Sequence, residues 1–415
     1  MVTPTQGSFD AVAMAADTSG GTARVEFTGT RRQLFGLLLR GYLLMLPTAG
    51  IYRFWVTTWK RRFYWQNTVI DGDALEYTGE AMQLLIGFLF AVAFFLPLYL
   101  VLFYLSTQAP EIIGFGYMII GIVFWFMLGY AQYRARDFRL SRTLWRGIRF
   151  DQRGNAWAYA LRRFLWSLLV LATLGLAFPL MATSLWRYRY NNSWYGDRQF
   201  RWTGTWKTIA GPFYLSYFAA GAGIVAALFV AESVPAISIE GEPLPGPAAQ
   251  LAFLGAALFA VLMWFYFRSR ETSRMFSEVW IGEARATVRV RARSLLGQHL
   301  AYGLSVLVAA IVFALIALAV VAATEGGTAS VVIVDLTRSV QSSWIVLVGL
   351  ILGYLVVFGT LGLLGEVFLG CGYWMLVARG ATIANVESLR TVRAAGEDRA
   401  LVGEGLADAL NVGAY

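Results

Sequence analysis

The chain offers few side chains from which a catalytic centre could be built. Its 415 residues include one cysteine, Cys371, and one histidine, His299. A lone thiol closes no intrachain disulfide, and a structural zinc site takes four Cys/His ligands, so no metal site is expected. No Walker A loop, Gly-x-Ser-x-Gly elbow or His-Glu-x-x-His pair occurs. His299 reads as an interfacial polar residue near a helix start. These residues point to a protein that is not an enzyme and carries no cofactor.

What remains are polar groups set in apolar surroundings. Thr-x-Gly recurs at Thr48/Gly50, Thr173/Gly175 and Thr360/Gly362. Glycine permits a sharp break, and a threonine hydroxyl can satisfy the backbone groups that a break frees. Broken helices at repeat interfaces build substrate sites in transporters, although small residues also serve close helix packing. Arg40, Arg53 and Glu366 fall inside apolar stretches, where ionisable groups are costly and mark function by default. An arginine near a boundary can also snorkel to phosphates. Together these nine residues form a candidate broken-helix site. A second set is basic: Lys60, Arg61, Arg62, Arg187, Arg189, Arg289, Arg291 and Arg293. The aromatic–basic stretches Trp59–Trp65 and Trp186–Tyr195 suit the headgroup zone, where Trp and Tyr settle and Lys/Arg attract anionic lipid. The expected partners are the bilayer and its anionic phospholipids, with a protein partner or a second copy left open.

The elements that carry these groups follow from composition. Hydrophobic residues make up 58% of the chain and charged residues 14%, against about 45–50% and about 25% in soluble domains. A spanning helix takes about 20 apolar residues. Six segments qualify: Ala81–Tyr104, Ile112–Tyr130, Ile209–Ala231, Ala249–Phe267, Ala301–Ala323 and Trp344–Phe368. The net charge of +9 is then better read as sidedness than as nucleic-acid binding, since Lys and Arg collect on the cytoplasmic side. Loop Ala131–Arg163 holds nine Arg against two Asp, and loop Arg268–Ser294 seven Arg against three Glu. The loops between the other span ends are almost free of base. The six spans therefore pair into three hairpins with both termini cytoplasmic. Leu34–Trp55 and Phe164–Thr183 are apolar too, yet each has base on both flanks. That pattern fits re-entrant or interfacial broken helices, which are tolerated where protein or a wet cavity surrounds the bend. The alternative is eight true spans.

The two broken segments are related by a shift of 125 residues, which places Thr48 on Thr173, Gly50 on Gly175, Arg62 on Arg187, Asn67 on Asn192 and Gly79 on Gly204. Such a match signals duplication, and Thr360-Leu361-Gly362-Leu363 marks a divergent third copy. Short runs at Ala23–Thr28, Ala74–Thr78, Ile148–Gln152, Gln199–Thr203 and Arg285–Arg293 have strand character, the last with strict period two. They are expected to pair into a small cytoplasmic β-layer, with Gly72, Gly147, Gly196 and Gly282 at turns leaving helices. The expected fold is an all-α polytopic membrane protein of six transmembrane helices in three hairpins, two broken helices and repeats of about 125 residues. The divisions are a disordered tail over 1–21, membrane repeats over 22–148, 149–284 and 285–386, and a flexible tail over 387–415 that includes a short helix near Val386–Arg393.

Phe27-Thr28-Gly29, Thr48–Trp55, Lys60–Tyr64 and Gly72–Tyr77 together resemble the YjgN-like family, bacterial inner-membrane proteins with a domain of unknown function. The resemblance covers roughly Thr22 to Val386. The family pattern, Thr-Leu-Gly-Ile-Tyr-x-Pro-Trp, is incomplete in both copies: Phe54 replaces the proline in the first and Leu180 the tryptophan in the second. The resemblance implies a bacterial inner-membrane location and no activity. Two functions follow: transport of a small molecule or lipid through the broken helices, or a non-catalytic scaffold or assembly factor working through its basic face.

Overall fold

The computed structural model describes residues 21–108, 110–233, 237–239, 242–244, 246–323 and 344–395. Of the expected N-terminal tail over 1–21 only Gly21 is described; residues 324–343 and the expected C-terminal tail beyond 395 lie outside the described residues. The chain forms two compact units. One takes the residues up to Thr28, Thr57–Ala292 and the chain from Val377; the other takes Gly29–Val56 and Arg293–Leu376.

The first unit overturns the all-α expectation. Ten antiparallel strands close into a barrel: β1 (Thr22–Phe27), β2 (Thr68–Ile70), β3 (Asp73–Tyr77), β4 (Thr143–Trp145), β5 (Ile148–Gln152), β6 (Ser193–Tyr195), β7 (Arg198–Trp202), β10 (Val279–Ile281), β11 (Ala284–Val288) and β12 (Ala381–Ala384). Around the ring they run β1, β12, β11, β10, β7, β6, β5, β4, β3, β2 and back to β1. A separate two-stranded sheet pairs β8 (Ile237–Ile239) with β9 (Glu242–Leu244). The expected runs are thus not an open layer. Each longer strand is partnered by a short one that is too brief to show a period of two.

Four hairpins and one pairing of distant strands make the ring. The hairpins have two-residue turns, Asp71–Gly72, Arg146–Gly147, Gly196–Asp197 and Gly282–Glu283, with positive φ at the first residue or at both. These are the primed turns whose twist matches that of the strands they join. The four glycines therefore sit between strands and not at helix exits. The remaining two strands, β12 and β1, pair across the length of the chain: Thr22 faces Ala384 and Arg24 faces Thr382.

Alternation along β1 sends one face inward. In β1, Ala23, Val25 and Phe27 are buried and the residues between them exposed. The lumen is filled rather than open: Ala23, Trp145, Tyr195 and Ala284 form its core with Leu75, Phe150, Phe200 and Ile383. A 3-10 turn, Val386–Thr391, places Val386, Leu389 and Val392 in the same core. The expected short helix at this point is a packed turn. At the opposite rim, the residue after each long strand donates its N–H to the residue before the neighbouring short strand. The pairs are Thr28 to Asn67 (3.0 Å), Thr78 to Arg142 (2.9 Å), Arg153 to Asn192 (2.7 Å), Thr203 to Glu278 (3.1 Å) and Arg289 to Gly380 (2.9 Å).

Every strand end that joins a helix lies on that rim. Between β1 and β2 run α1 (Arg31–Met45) and α2 (Arg53–Gln66), and between β5 and β6 run α5 (Ala156–Ala172) and α6 (Phe178–Asn191). Longer helices fill the other three intervals: α3 (Ala81–Gln108) with α4 (Pro110–Ser141), α7 (Lys207–Ser233) with α8 (Pro247–Phe276), and α9 (Ala292–Ala323) with α10 (Trp344–Gly365). A π-helical turn, Glu366–Gly370, and α11 (Cys371–Arg379) follow α10. Six helical segments are long and apolar enough to cross a membrane, among them Ala81–Gln108, Lys207–Ser233 and Ile351–Arg379. They coincide with the six segments read from hydropathy, as expected of a multi-pass membrane protein.

Candidate functional site

The two broken segments share one turn. In each, a threonine hydroxyl donates to the carbonyl four residues back, Thr48 to Leu44 and Thr173 to Leu169, both at 2.8 Å. The same oxygen accepts the N–H four residues on, from Tyr52 (3.2 Å) and Ala177 (3.1 Å). Gly50 donates to Met45 (2.9 Å) and Gly175 to Val170 (2.7 Å). Two successive residues are left-handed in each turn, Ala49 (φ 48°) with Gly50 (84°) and Leu174 (50°) with Gly175 (94°). A residue with a Cβ is strained there and glycine is not, which is why the spacing Thr-x-Gly recurs.

Each break thus satisfies its own backbone and presents no free helix end to a ligand. In the second unit the legs close where Gly41 meets Val56: a Cβ on Gly41 would come within 2.5 Å of a Val56 methyl. The tips face outward. Ile51 is 52% exposed and Leu174 80%.

The third Thr-x-Gly behaves differently. Thr360 and Gly362 lie inside the unbroken helix α10, where the Thr360 hydroxyl donates to Val356 (2.8 Å). Gly362 leaves room for Tyr42, whose hydroxyl is 3.2 Å from the position of an added Cβ. Glu366 opens the π-helical turn. Arg40 and Arg53 are exposed, Arg53 with its guanidinium over the Phe54 ring at 5.3 Å. None of these contacts of the nine expected site residues joins one Thr-x-Gly site to another within either unit.

The basic residues divide. Arg289, Arg291 and Arg293 are exposed. Arg61 is buried, donates to the Tyr77 hydroxyl at 3.0 Å, and so faces protein rather than headgroups. Arg62 reaches the Gly79 carbonyl at 3.4 Å and Arg187 the Gly204 carbonyl at 2.8 Å, the same contact in two repeats.

A site absent from the sequence reading lies on the rim. Arg136, on α4, donates through Nη1 to Gln152 Oε1 (2.6 Å) and Ser193 Oγ (2.7 Å). Its guanidinium lies over the Tyr190 ring at 5.0 Å. The signal available in the sequence was an arginine late in an apolar helix, two residues after Arg134 and three before Arg139. No group of three or more metal-ligating side chains occurs among the described residues.

The bacterial family of unknown function DUF898 matches residues 22–409. The chain belongs to this family. The DUF898 match begins at Thr22, the first residue of β1, and runs beyond the packed turn in the barrel. It therefore takes in the complete ring and every helix attached to it. No curated protein and no solved structure matches the chain.

Proposed function

We propose that this DUF898 chain is a non-catalytic scaffold of the bacterial inner membrane, with the barrel on the cytoplasmic face. The observation that carries this reading is the exposure of the spans: no more than 18% of any of the six apolar windows is buried within the chain. Helices that line a transport path bury polar groups against one another. These present long apolar flanks instead, which suit lipid and the spans of other proteins. The filled lumen and the self-satisfied Thr-x-Gly turns support the same reading.

Topology supports the re-entrant assignment. The strand ends that flank each short hairpin are bonded to each other on one rim, Thr28 to Asn67 and Arg153 to Asn192, so the chain leaves and re-enters the barrel on one side. The longest leg, α5, has 17 residues, about 25 Å at 1.5 Å per residue, against a hydrocarbon core of about 30 Å. Leu174 at the tip is suited to lipid, not water. The base-rich loops on the barrel side favour a cytoplasmic barrel. The YjgN-like resemblance of Thr48–Trp55 and Gly72–Tyr77 is consistent with the family and supports the inner membrane.

The test is affinity purification of the tagged full chain from its own membranes after gentle solubilisation. A membrane protein recovered in fixed stoichiometry is expected, lost when exposed span residues such as Leu258, Leu262 and Leu304 are changed to alanine together. Recovery of lipid alone, with uptake or efflux abolished by Gly50→Val and Gly175→Val, would replace the scaffold by a transporter.

A further inference from the structure

On the helix-bearing rim between β5 and β6 the Arg136 guanidinium reaches the Arg189 backbone carbonyl at 3.5 Å, and no carboxylate among the described residues pairs with either side chain. The acidic neighbours are engaged elsewhere, Asp137 with Arg134 (3.1 Å) and Asp151 with Arg153 (3.0 Å). One nitrogen of Arg136 carries the protein contacts, to Gln152, Ser193 and, at 3.5 Å, the Arg189 carbonyl. All three acceptors are neutral. Behind its burial and the opposing effect of Tyr190, Arg189 and Arg139 place charge of its own sign on Arg136. Arg189 lies over Trp186 at 5.5 Å, and its Nε is buried without a hydrogen-bond partner. Both arginines keep part of their surface open.

A guanidinium brought out of water against like charges is unfavourable unless an anion offsets it. Arginine's planar fork suits an oxyanion, and phosphate above all. The aromatic faces of Tyr190 and Trp186 hold the two guanidiniums, and Gln152 and Ser193 fix the orientation of the first. We propose that Arg136 and Arg189 form a binding site for a phosphate group, supplied by an anionic lipid headgroup or by a soluble phosphate. The site stands on the rim geometry alone and does not require the scaffold reading.

The full chain, purified in zwitterionic detergent, is titrated with inorganic phosphate, and in a parallel arm is placed in nanodiscs of phosphatidylcholine with and without phosphatidylglycerol. Native mass spectrometry counts the bound molecules. Binding in the lipid arm alone assigns a headgroup, and binding in the phosphate arm alone assigns a soluble ligand. In either case Arg136→Gln and Arg189→Gln should weaken binding on the order of tenfold or more. Arg198→Gln, on an exposed arginine beside the turn at the far end of the barrel, should leave it unchanged. Arg189→Gln removes a side chain whose Nε makes no hydrogen bond, so the test survives if Arg136→Gln fails to fold. Absence of binding in both arms, or equal binding by the folded variants, overturns the site.

Discussion

Asp197 and Arg393, 196 residues apart, tie the end of the packed turn to a hairpin of the barrel. The Arg393 N–H donates to the Asp197 carboxylate at 3.1 Å, and the Asp197 N–H donates to the Arg393 carbonyl at 3.1 Å. The adjoining Gly196 has φ +54°, and an added Cβ would lie 2.2 Å from that same carbonyl. Gly196→Ala should displace the segment from the barrel mouth. Limited proteolysis is expected to cut near Thr391 in the variant and not in the parent. Leu389→Ala, which empties a core position, should cost about 2–5 kcal/mol, read as a fall in unfolding temperature in detergent.

The Thr-x-Gly turns predict a matched pair of effects. Thr48→Val and Thr173→Val each remove a hydroxyl that both donates and accepts, so each should lose about 1–2 kcal/mol. Serine at either position should restore most of it. Thr360→Val, within a continuous helix, should be close to neutral. Thermal unfolding of the three variants in one detergent checks the ranking.

Labelling tests the depth of the short hairpins. In a Cys371→Ser background, Ile51→Cys and Leu174→Cys should resist an impermeant maleimide in intact cells and after permeabilisation, because lipid surrounds both tips. Gln199→Cys on the barrel should react only after permeabilisation. Reaction of Leu174→Cys in intact cells would show that the segment crosses.

Alkali tests the barrel core. Tyr195 is fully buried and donates to the Trp145 carbonyl at 3.0 Å. Burial raises its pKa from 10.0 to about 12. The phenol stays protonated longer in the folded chain than in the unfolded one, so its contribution is complete below pH 10. It is lost as pH rises from about 10 to about 12. Unfolding temperature should fall across that window, and Tyr195→Phe should flatten the fall while lowering stability at neutral pH.

The membrane part of the fold was legible because hydropathy is local: a run such as Ala81–Tyr104 declares itself without its neighbours. The barrel was not. Strands such as Thr143–Trp145 and Ser193–Tyr195 have three residues each, too few for alternation to register. The ring also joins segments from both ends of the chain, which no local pattern reveals. Within the candidate site, Thr-Leu-Gly-Leu is the same at 173–176 and 360–363, yet only the first breaks its helix. Pro47 and Pro179 lie close to the two breaks and none lies near Thr360. Proline disfavours continuous helix around it, and the tetrapeptide alone does not supply that bias. Arg136 is not legible in the sequence because its distinguishing property, a charge met only by neutral acceptors, exists only once β5 and β6 stand beside α4.

The pairing of β1 with β12 makes completion of the ring a late event in biosynthesis. While a ribosome is still making the chain, β1 can pair with β2 on one side, but its other edge waits for Ala381–Ala384, as does the outer edge of β11. Unpaired edges invite aggregation. A nascent or truncated chain that ends before Ala381 therefore carries two such edges into the crowded surface of the membrane, and closure marks the finished molecule apart from every shorter product.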